Sequence, residues 1–159
     1  YFQASKNLKL PHYKIPISAL VVIYTKQFDI LLLSRADKRN FWQSVTGSLE
    51  QDESLLETAK REVLEETGII CENYLLQDWN LSHEYKIFSH WQYRYAPGVD
   101  YNTEHIFGLE LPQKVPVTLS PREHIDFKWV PLEEAKKTVF SWTNVKALEK
   151  LYEIKLLAS

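Results

Sequence analysis

The segment 47–69, GSLEQDESLLETAKREVLEETGI, constrains the fold of this 159-residue chain more than any other stretch. Ser54 followed by Glu57 forms a capping box, which predicts that a helix begins near Ser54 and gives Glu57 a structural role at its positive end. Gly68 suits the left-handed position just after a helix, so the helix is predicted to end there. The apolar residues at helical spacing predict one buried face: Leu55, Leu56, Ala59 and Val63.

Three glutamates crowd the second half of this predicted helix. Glu62, Glu65 and Glu66 stand at i, i+3 and i+4, where like charges destabilise a bare helix by about 0.2–0.5 kcal/mol per pair. A divalent cation bound to phosphates would offset that repulsion, because magnesium takes carboxylate and phosphate oxygens as ligands. The alternative is a solvated acidic helix face without a ligand.

The spacing of these residues favours the cation. Nine positions match the Nudix box, Gly-x5-Glu-x7-Arg-Glu-U-x-Glu-Glu-x-Gly-U with U aliphatic, and they are Gly47, Glu53, Arg61, Glu62, Val63, Glu65, Glu66, Gly68 and Ile69. The chain therefore resembles the Nudix hydrolases. The resemblance implies an α/β fold, an α/β/α sandwich with a mixed β-sheet. It also implies hydrolysis of a diphosphate linked to another group, with Mg²⁺ as cofactor and Mn²⁺ as its alternative.

The resemblance assigns the catalytic roles of the box to its glutamates. It implies Glu62 and Glu66 as the main metal ligands and Glu65 as an additional or outer ligand. The three side chains are therefore the catalytic candidates on the predicted helix.

The remaining box residues are expected to hold the glutamates in place. Arg61 can pair with Glu53 or with Glu57, and the resemblance favours Glu53 as its orienting partner. A ligand acting through water is the alternative for Glu53. Gly47, Glu53, Arg61 and Gly68 are thus the predicted structural residues of the box.

Segments outside the box resemble the bacterial dihydroneopterin triphosphate pyrophosphatase branch of the family, over residues 13–144. The matching segments are 41–48, 84–90, 93–99, 102–104, 123–124 and 141–144. The branch implies release of pyrophosphate from dihydroneopterin triphosphate, which leaves dihydroneopterin monophosphate for folate biosynthesis. It also implies Glu123, in a late loop, as a further catalytic residue and metal ligand that positions or deprotonates the attacking water.

The same branch implies a set of substrate contacts: Lys14, Arg35, Thr46, Tyr85, Lys86, Ile87, Phe88, His124 and Ser141. Several have a structural alternative. Lys14 and Arg35 either bind the triphosphate or solvate a strand end. Tyr85 and Phe88 either stack on a pterin ring or belong to the core.

Two hydroxyl residues also have structural alternatives. Thr46 would otherwise be a strand residue with a satisfied hydroxyl, and Ser141 is interpreted first as the N-cap of a last helix. His124 is distinguished from the other histidines by its neighbour Glu123 alone.

Hydrophobic patterning supports the same architecture independently of any family. It predicts strands at 17–24, 30–33, 41–46, 74–81, 85–95, 104–111 and 124–130, and helices over 132–138 and after Ser141. Strands that alternate with helices indicate a mixed sheet covered by helices. We expect residues 4–159 to form a single Nudix domain, and residues 1–3 resemble the remnant of an expression tag.

Composition limits the remaining classes of function. Hydrophobic residues make up 45% of the chain and the net charge is −2, which favours a folded protein without nucleic acid as a partner. No apolar run approaches the 18 residues or so that a membrane span needs. Cys71 is the only cysteine, so no intrachain disulfide forms. With no signal peptide, we predict a cytoplasmic monomer that binds a pterin or nucleoside triphosphate.

Two alternative functions stand beside the pterin activity. One is a Nudix hydrolase that acts on nucleoside triphosphates or dinucleoside polyphosphates, because a purine shares much of its shape with a pterin. The other is a non-catalytic Nudix module that senses a nucleotide. Such a module can lose its box carboxylates, and here all of them are present.

Overall fold

The structure, a computed structural model, describes residues 12–37 and 40–158, without the side chain of Ile125. The predicted tag remnant, residues 1–3, lies outside the described residues. Within these residues, seven strands form one sheet: β1 (Ile17–Thr25), β2 (Asp29–Arg35), β3 (Trp42–Gln43), β4 (Val45–Ser48), β5 (Leu75–Lys86), β6 (Tyr101–Leu111) and β7 (His124–Pro131). The described part of the chain also contains three α-helices: α1 (Leu55–Thr67), α2 (Leu132–Thr138) and α3 (Trp142–Ala158).

Strand β1 lies at the centre of the sheet. It pairs in parallel with β6 over its whole length and antiparallel with β4, while β2 joins it at a hairpin. Strand β2 pairs antiparallel with β3 and β7, and β5 pairs antiparallel with β6 at the edge. The sheet is therefore mixed, as predicted.

Helices cover both faces of the sheet because alternate strand residues point to opposite sides. On one face, Leu20, Val22 and Ile106 pack with residues of α2 and α3. On the other face, Val21 and Phe107 pack with residues of α1. The predicted α/β/α sandwich is confirmed. No helix within the described residues is long and apolar enough to cross a membrane.

Helix α1 begins and ends where its sequence predicted. The Ser54 hydroxyl accepts from the N–H of Glu57 at 3.1 Å, and the Glu57 carboxylate accepts from the N–H of Ser54 at 2.8 Å. Gly68 has φ 76°, and its N–H donates to the carbonyl of Leu64 at 2.9 Å. A side chain at Gly68 would be strained in this left-handed conformation.

The predicted strand 41–46 is wrong in detail, because two short strands replace it. Ser44 lies between β3 and β4 and belongs to neither strand. Its N–H donates to the side chain of Asn144 at 2.8 Å. The Ser44 hydroxyl accepts from the same amide at 3.0 Å. These two bonds attach the corner between β3 and β4 to the first turn of α3.

The predicted strands 74–81 and 85–95 are also wrong in detail. A single strand, β5, runs from Leu75 to Lys86. Its register with β6 shifts between Asp78 and Leu81, so the strand continues through this irregular position. Residues Ser89–Arg94 then form a 3₁₀ helix instead of a strand. Aromatic contacts explain the difference, because the ring of Trp91 packs 5.4 Å from that of Phe88 and 4.5 Å from the guanidinium of Arg35.

Candidate active site

A cleft of about 1300 Å³ runs from Glu62 on α1 to Trp142 at the start of α3. The predicted site residues that line it are Lys14, Arg35, Thr46, Gly47, Glu62, Tyr85, Lys86, Phe88, Glu123, His124 and Ser141. Ile87 does not line it, because its side chain is 3% exposed and its N–H donates to the carbonyl of Asp100. Ile87 follows the last residue of β5 and turns inward, whereas Lys86 and Phe88 on either side of it reach the cleft.

Arg61 connects the loop and the helix of the box through hydrogen bonds. Its guanidinium donates to both oxygens of Glu53, at 2.7 and 2.9 Å, and to the carbonyl of Ser48 at 3.0 Å. It also donates to the carboxylate of Glu62. The hydrogen bond from Arg61 lowers the pKa of Glu53 to about 2, so this carboxylate is charged at neutral pH. The guanidinium therefore links the loop before α1 to the helix itself.

Gly47 creates the space that Glu62 occupies. A Cβ atom at Gly47 would lie 2.0 Å from Cδ of Glu62, well inside van der Waals contact. The bare backbone of β4 therefore lets the Glu62 carboxylate lie directly against it, at the floor of the cleft. Any larger residue at position 47 would displace this carboxylate.

Glu66 is buried without a partner. Its side chain has no exposure, and neither carboxylate oxygen has a hydrogen-bond partner among the described residues. Burial and the nearby Glu62 carboxylate raise the pKa of Glu66 well above its ordinary value. A buried carboxylate of this kind is costly unless a cation or donor satisfies it. The orphaned oxygens of Glu66 are thus suited to a divalent cation.

Glu66 has two potential co-ligands from the late loop and β7. The ligand atoms of Glu66, Glu123 and His124 all lie within 4.8 Å of one another. Nδ1 of His124 is 3.6 Å from Oε1 of Glu66, too far for a hydrogen bond, and it too is buried without a partner. Burial, followed by the charge of Arg35, lowers the pKa of His124 to about 4, so its ring is neutral and free to bind a metal or a substrate donor.

Glu123 faces the box helix across the cleft. Desolvation, followed by the charges of Glu62 and Glu65, raises the pKa of the Glu123 carboxyl. Glu65 itself is exposed on the outer side of α1, with its carboxylate 3.5 Å from the guanidinium of Arg61. Of the four predicted catalytic glutamates, the structure therefore brings Glu62, Glu66 and Glu123 together and leaves Glu65 at the margin.

The loop that carries Glu123 is attached to the end of α1. The N–H of Thr118 donates to the carbonyl of Thr67 at 2.8 Å, and Gly68 leaves room for the Thr118 side chain. The Thr67 hydroxyl donates to the carbonyl of Val63 and accepts from the N–H of Ile69. These contacts fix the late loop relative to the box helix.

Basic and aromatic side chains form the opposite rim. Arg35 donates to Asp37 at 2.6 and 2.8 Å, and its guanidinium lies over the ring of Trp91. The backbone N–H of Lys14 donates to the carbonyl of Arg94 at 2.8 Å, which places two further cations at the cleft. Such a rim suits a ligand with several phosphate groups.

Ser141 caps the last helix, as its first interpretation predicted. Its hydroxyl accepts from the N–H of Asn144 at 3.1 Å, although the side chain also lines the cleft. Thr46 lies on β4 opposite Leu20 of β1 and likewise faces the cleft.

Sequence reasoning missed several residues that line the cleft: Gln43, Trp91, Arg94, Glu104, Arg122, Trp142 and Thr143. Glu104 is the most unusual of them, because it is an acid only 4% exposed within a strand. One signal for it was present. The alternation of β6 places Glu104 on the same face as the core residue Ile106, where a carboxylate is unexpected.

The arrangement of charged side chains is suited to hydrolysis at phosphorus. Carboxylates converge on one end of a cleft whose rim carries arginine and lysine, and an exposed glutamate faces them. This combination suits a cation-bound polyphosphate and a water positioned for attack at phosphorus.

Comparison with known proteins agrees with this chemistry. The NUDIX domain matches residues 14–151. The dihydroneopterin triphosphate diphosphatase of Escherichia coli K12 is 43% identical over 141 residues, which cover 87% of this chain and 93% of that protein. The enzyme of the same name from Haemophilus influenzae is 44% identical over 141 residues, 87% of this chain and 88% of that one.

Among solved structures, that of the E. coli dihydroneopterin triphosphate pyrophosphohydrolase has a TM-score of 0.81 and 43% identity. The match covers 87% of this chain and 95% of that chain. The overall fold is thus shared with a solved structure, and the chain belongs to the Nudix family.

Proposed function

We propose that this protein hydrolyses dihydroneopterin triphosphate to dihydroneopterin monophosphate and pyrophosphate. The observation that carries the proposal is the identity of 43–44% to two bacterial dihydroneopterin triphosphate diphosphatases across 87% of the chain. The similarity extends over 141 residues and therefore well beyond the box. The intact box carboxylates and the basic rim supply the chemistry that such a hydrolysis needs.

The proposed cofactor is Mg²⁺, with Mn²⁺ as a substitute. Glu62, Glu66 and Glu123 would hold it, and the orphaned oxygens of Glu66 support this assignment. Among the described residues, the ligand atoms that lie within 4.8 Å of one another belong to Glu66, Glu123 and His124, and Glu62 would join them from the same helix as Glu66. When bound, the cation supplies charge neutralisation at the phosphates and polarises the bond to be broken.

The protein's own side chains would carry out the rest of the reaction. Lys14 and Arg35 bind phosphate oxygens at the rim and orient the chain of phosphates along the cleft. Glu123 positions a water molecule and accepts its proton as the new P–O bond forms. The bridging bond between the α- and β-phosphates breaks, and the electron pair leaves with pyrophosphate or with the monophosphate according to which phosphorus is attacked.

The assembly and location of the protein follow as part of the same proposal. We propose a cytoplasmic monomer, whose single cysteine, Cys71, is buried and free. Light scattering on a purified sample should give a mass close to 18.8 kDa for this chain.

A panel of substrates tests the proposed function. Dihydroneopterin triphosphate, GTP, ATP and diadenosine tetraphosphate are compared at equal concentration with Mg²⁺, by quantifying pyrophosphate and the nucleotide or pterin product. We expect kcat/KM for dihydroneopterin triphosphate to exceed that for ATP by about 10²-fold or more, since a site shaped for one ring rejects another that leaves its polar groups unpaired. Equal rates on all four would contradict the proposal, and two nucleotide products from diadenosine tetraphosphate at the highest rate would favour the nucleotide alternative.

A further inference from the structure

Glu104 lies deep in the cleft, on the face of the sheet opposite the box helix. Its register partners are Ser18 on β1 and His83 on β5, and its side chain is 4% exposed while still lining the cleft. Because residues two apart share a face, Glu104 points to the same side as Ile106, which packs with α3. It is therefore separated from Glu66, which belongs to α1 on the other face of the sheet.

One oxygen of Glu104 has no partner. The Thr143 hydroxyl hydrogen-bonds to the carboxyl group, yet Oε1 is buried without any hydrogen bond among the described residues. Burial raises the pKa of Glu104 to about 7, which indicates that the protein itself supplies too few donors for the charged form. A buried acceptor in this condition needs a donor from outside the protein, and a ligand in the cleft can supply one.

The surroundings of Glu104 are shaped for a flat ring. Trp142, next to Thr143, is 53% exposed and lines the cleft. Tyr85 lines it as well, and its hydroxyl is fixed by the amide of Asn102 at 3.1 Å. Aromatic side chains that border an acidic group commonly hold heterocyclic rings by stacking, while the acid binds the ring edge.

We propose that Glu104 is a specificity-determining residue that binds the amino-pyrimidine edge of the substrate's ring, with Trp142 as the stacking surface beside it. The proposal rests on the proposed function, because it identifies the part of the substrate that this end of the cleft recognises. A pterin presents a ring N–H and an adjacent exocyclic amino group, two parallel donors that match the two oxygens of a carboxylate.

The same pattern of hydrogen-bond donors distinguishes guanine from adenine. Guanine presents a ring N–H beside its 2-amino group, as a pterin does. Adenine instead presents an acceptor nitrogen beside its amino group, which would face the Glu104 oxygen without a proton between them. Glu104 should therefore favour pterin and guanine rings over adenine, whatever the phosphate chain attached to them.

The test compares Glu104→Gln with the wild type on three triphosphates: dihydroneopterin triphosphate, GTP and ATP. The amide is nearly isosteric, but its NH₂ group would oppose one of the two ring donors. We expect kcat/KM for dihydroneopterin triphosphate and GTP to fall by about 10- to 100-fold, as for the loss of a bidentate contact, while the value for ATP changes less than about threefold. Glu110→Gln, on the same strand and outside the cleft lining, is the matched control and should leave all three values unchanged.

A second measurement does not depend on hydrolysis. Neopterin, which carries no phosphate, is titrated into the wild type, Glu104→Gln and Glu104→Asp, and binding is followed by its fluorescence anisotropy. Both variants should weaken neopterin binding by about tenfold or more, because the aspartate carboxylate is withdrawn by one methylene. Circular dichroism of each variant verifies that the fold is retained, and Glu104→Asp carries the test if the amide variant does not fold.

The outcomes separate this inference from the proposed function. Equal losses on all three triphosphates, or unchanged neopterin binding, would overturn the role of Glu104 and leave the pterin activity standing. A wild type that does not prefer dihydroneopterin triphosphate would overturn the proposed function, while the ratio of GTP to ATP turnover would still test Glu104.

Discussion

The two ends of the cleft differ in how the chain builds them. One end is the candidate metal site. There, Glu62, Glu66 and the guanidinium of Arg61, which is bonded to Glu62, all come from residues 47–68, one loop and one helix. At the other end, Glu104 and Trp142 come from β6 and the start of α3, which are distant in sequence.

The two ends also differ in the contacts that hold their side chains in place. The metal end is held by local contacts, such as the two bonds from Arg61 to Glu53 and the space at Gly47. The far end depends on pairing across the sheet, which sets Glu104 beside Ser18. In the proposed function, most of the reacting carboxylates therefore come from one short segment, joined by Glu123 from the late loop, whereas the contacts to the ring come from segments that only the tertiary structure brings together. Four substitutions test this contrast.

Glu66→Gln should have the largest effect on activity. The substitution removes a charge from the candidate metal site, and we expect pyrophosphate release to fall by about 10³-fold or more. Because Glu66 is buried without a partner, the variant should be at least as stable as the wild type in thermal denaturation without added metal. Glu72→Gln, on an exposed residue 3.5 Å from Lys60, is the control. A rate above a tenth of the wild type would contradict the role given to Glu66.

Gly47→Ala should reduce turnover by about 10²-fold. The new Cβ would meet the Glu62 side chain at 2.0 Å and displace its carboxylate, and small displacements of catalytic groups have effects of this size. The matched control is Gly68→Ala at the other end of the box. Its strained φ and its contact with Thr118 at 3.3 Å should lower the free energy of unfolding by about 1 kcal/mol. Gly47→Ala should therefore lower the turnover rate, whereas Gly68→Ala should lower the free energy of unfolding in urea. The reverse pattern would refute the function given to Gly47.

Glu53→Gln should reveal a pH-dependent contribution to stability. The pKa of Glu53 is lowered from 4.5 to about 2, chiefly by Arg61, so the folded state gains stability that is fully present above about pH 4.5. This contribution disappears as the pH falls towards 2. We expect the variant to lose about 1.5–3 kcal/mol at pH 6 and clearly less at pH 3, measured by urea unfolding. The exposed Glu149→Gln variant should show no such trend, and a constant deficit at both pH values for Glu53→Gln would exclude the charge as its cause.

Ser141→Ala should have the smallest effect and tests the far end of the cleft. Loss of the cap on Asn144 is expected to lower the free energy of unfolding by about 1 kcal/mol, and Ser141→Gly by only a few tenths. If Ser141 acts as a cap alone, KM for the triphosphate stays within about twofold in both variants. A KM that rises by about tenfold in both would instead show direct contact with substrate.

The parts of the fold that local signals control could be predicted from the sequence. Ser54, Glu57 and Gly68 defined both ends of α1, because capping bonds form between residues three or four apart. The 3₁₀ helix Ser89–Arg94 was mistaken for a strand because its aromatic residues favour strands in general. Its conformation follows instead from the contact between Trp91 and Arg35, which only the tertiary structure brings together.

The same distinction applies to the candidate site. The carboxylates of the box have a spacing that sequence can reveal, and the structure places Glu62 and Glu66 beside Glu123. A single acid in a strand, such as Glu104, has no spacing to mark it. The alternation of β6 places Glu104 on the core face, but its position in the cleft becomes apparent only when β5 and β1 flank β6 and α3 packs over the end.

The bond from Thr118 to Thr67 has a consequence for how the site opens. Local opening of a protein proceeds through cooperative units that share their hydrogen bonds. Because the loop before Glu123 is bonded to the last turn of α1, these two segments should exchange their amide hydrogens together, at one rate. Fraying of the helix end and withdrawal of Glu123 would then be a single event, so the catalytic carboxylates would assemble and come apart as one unit.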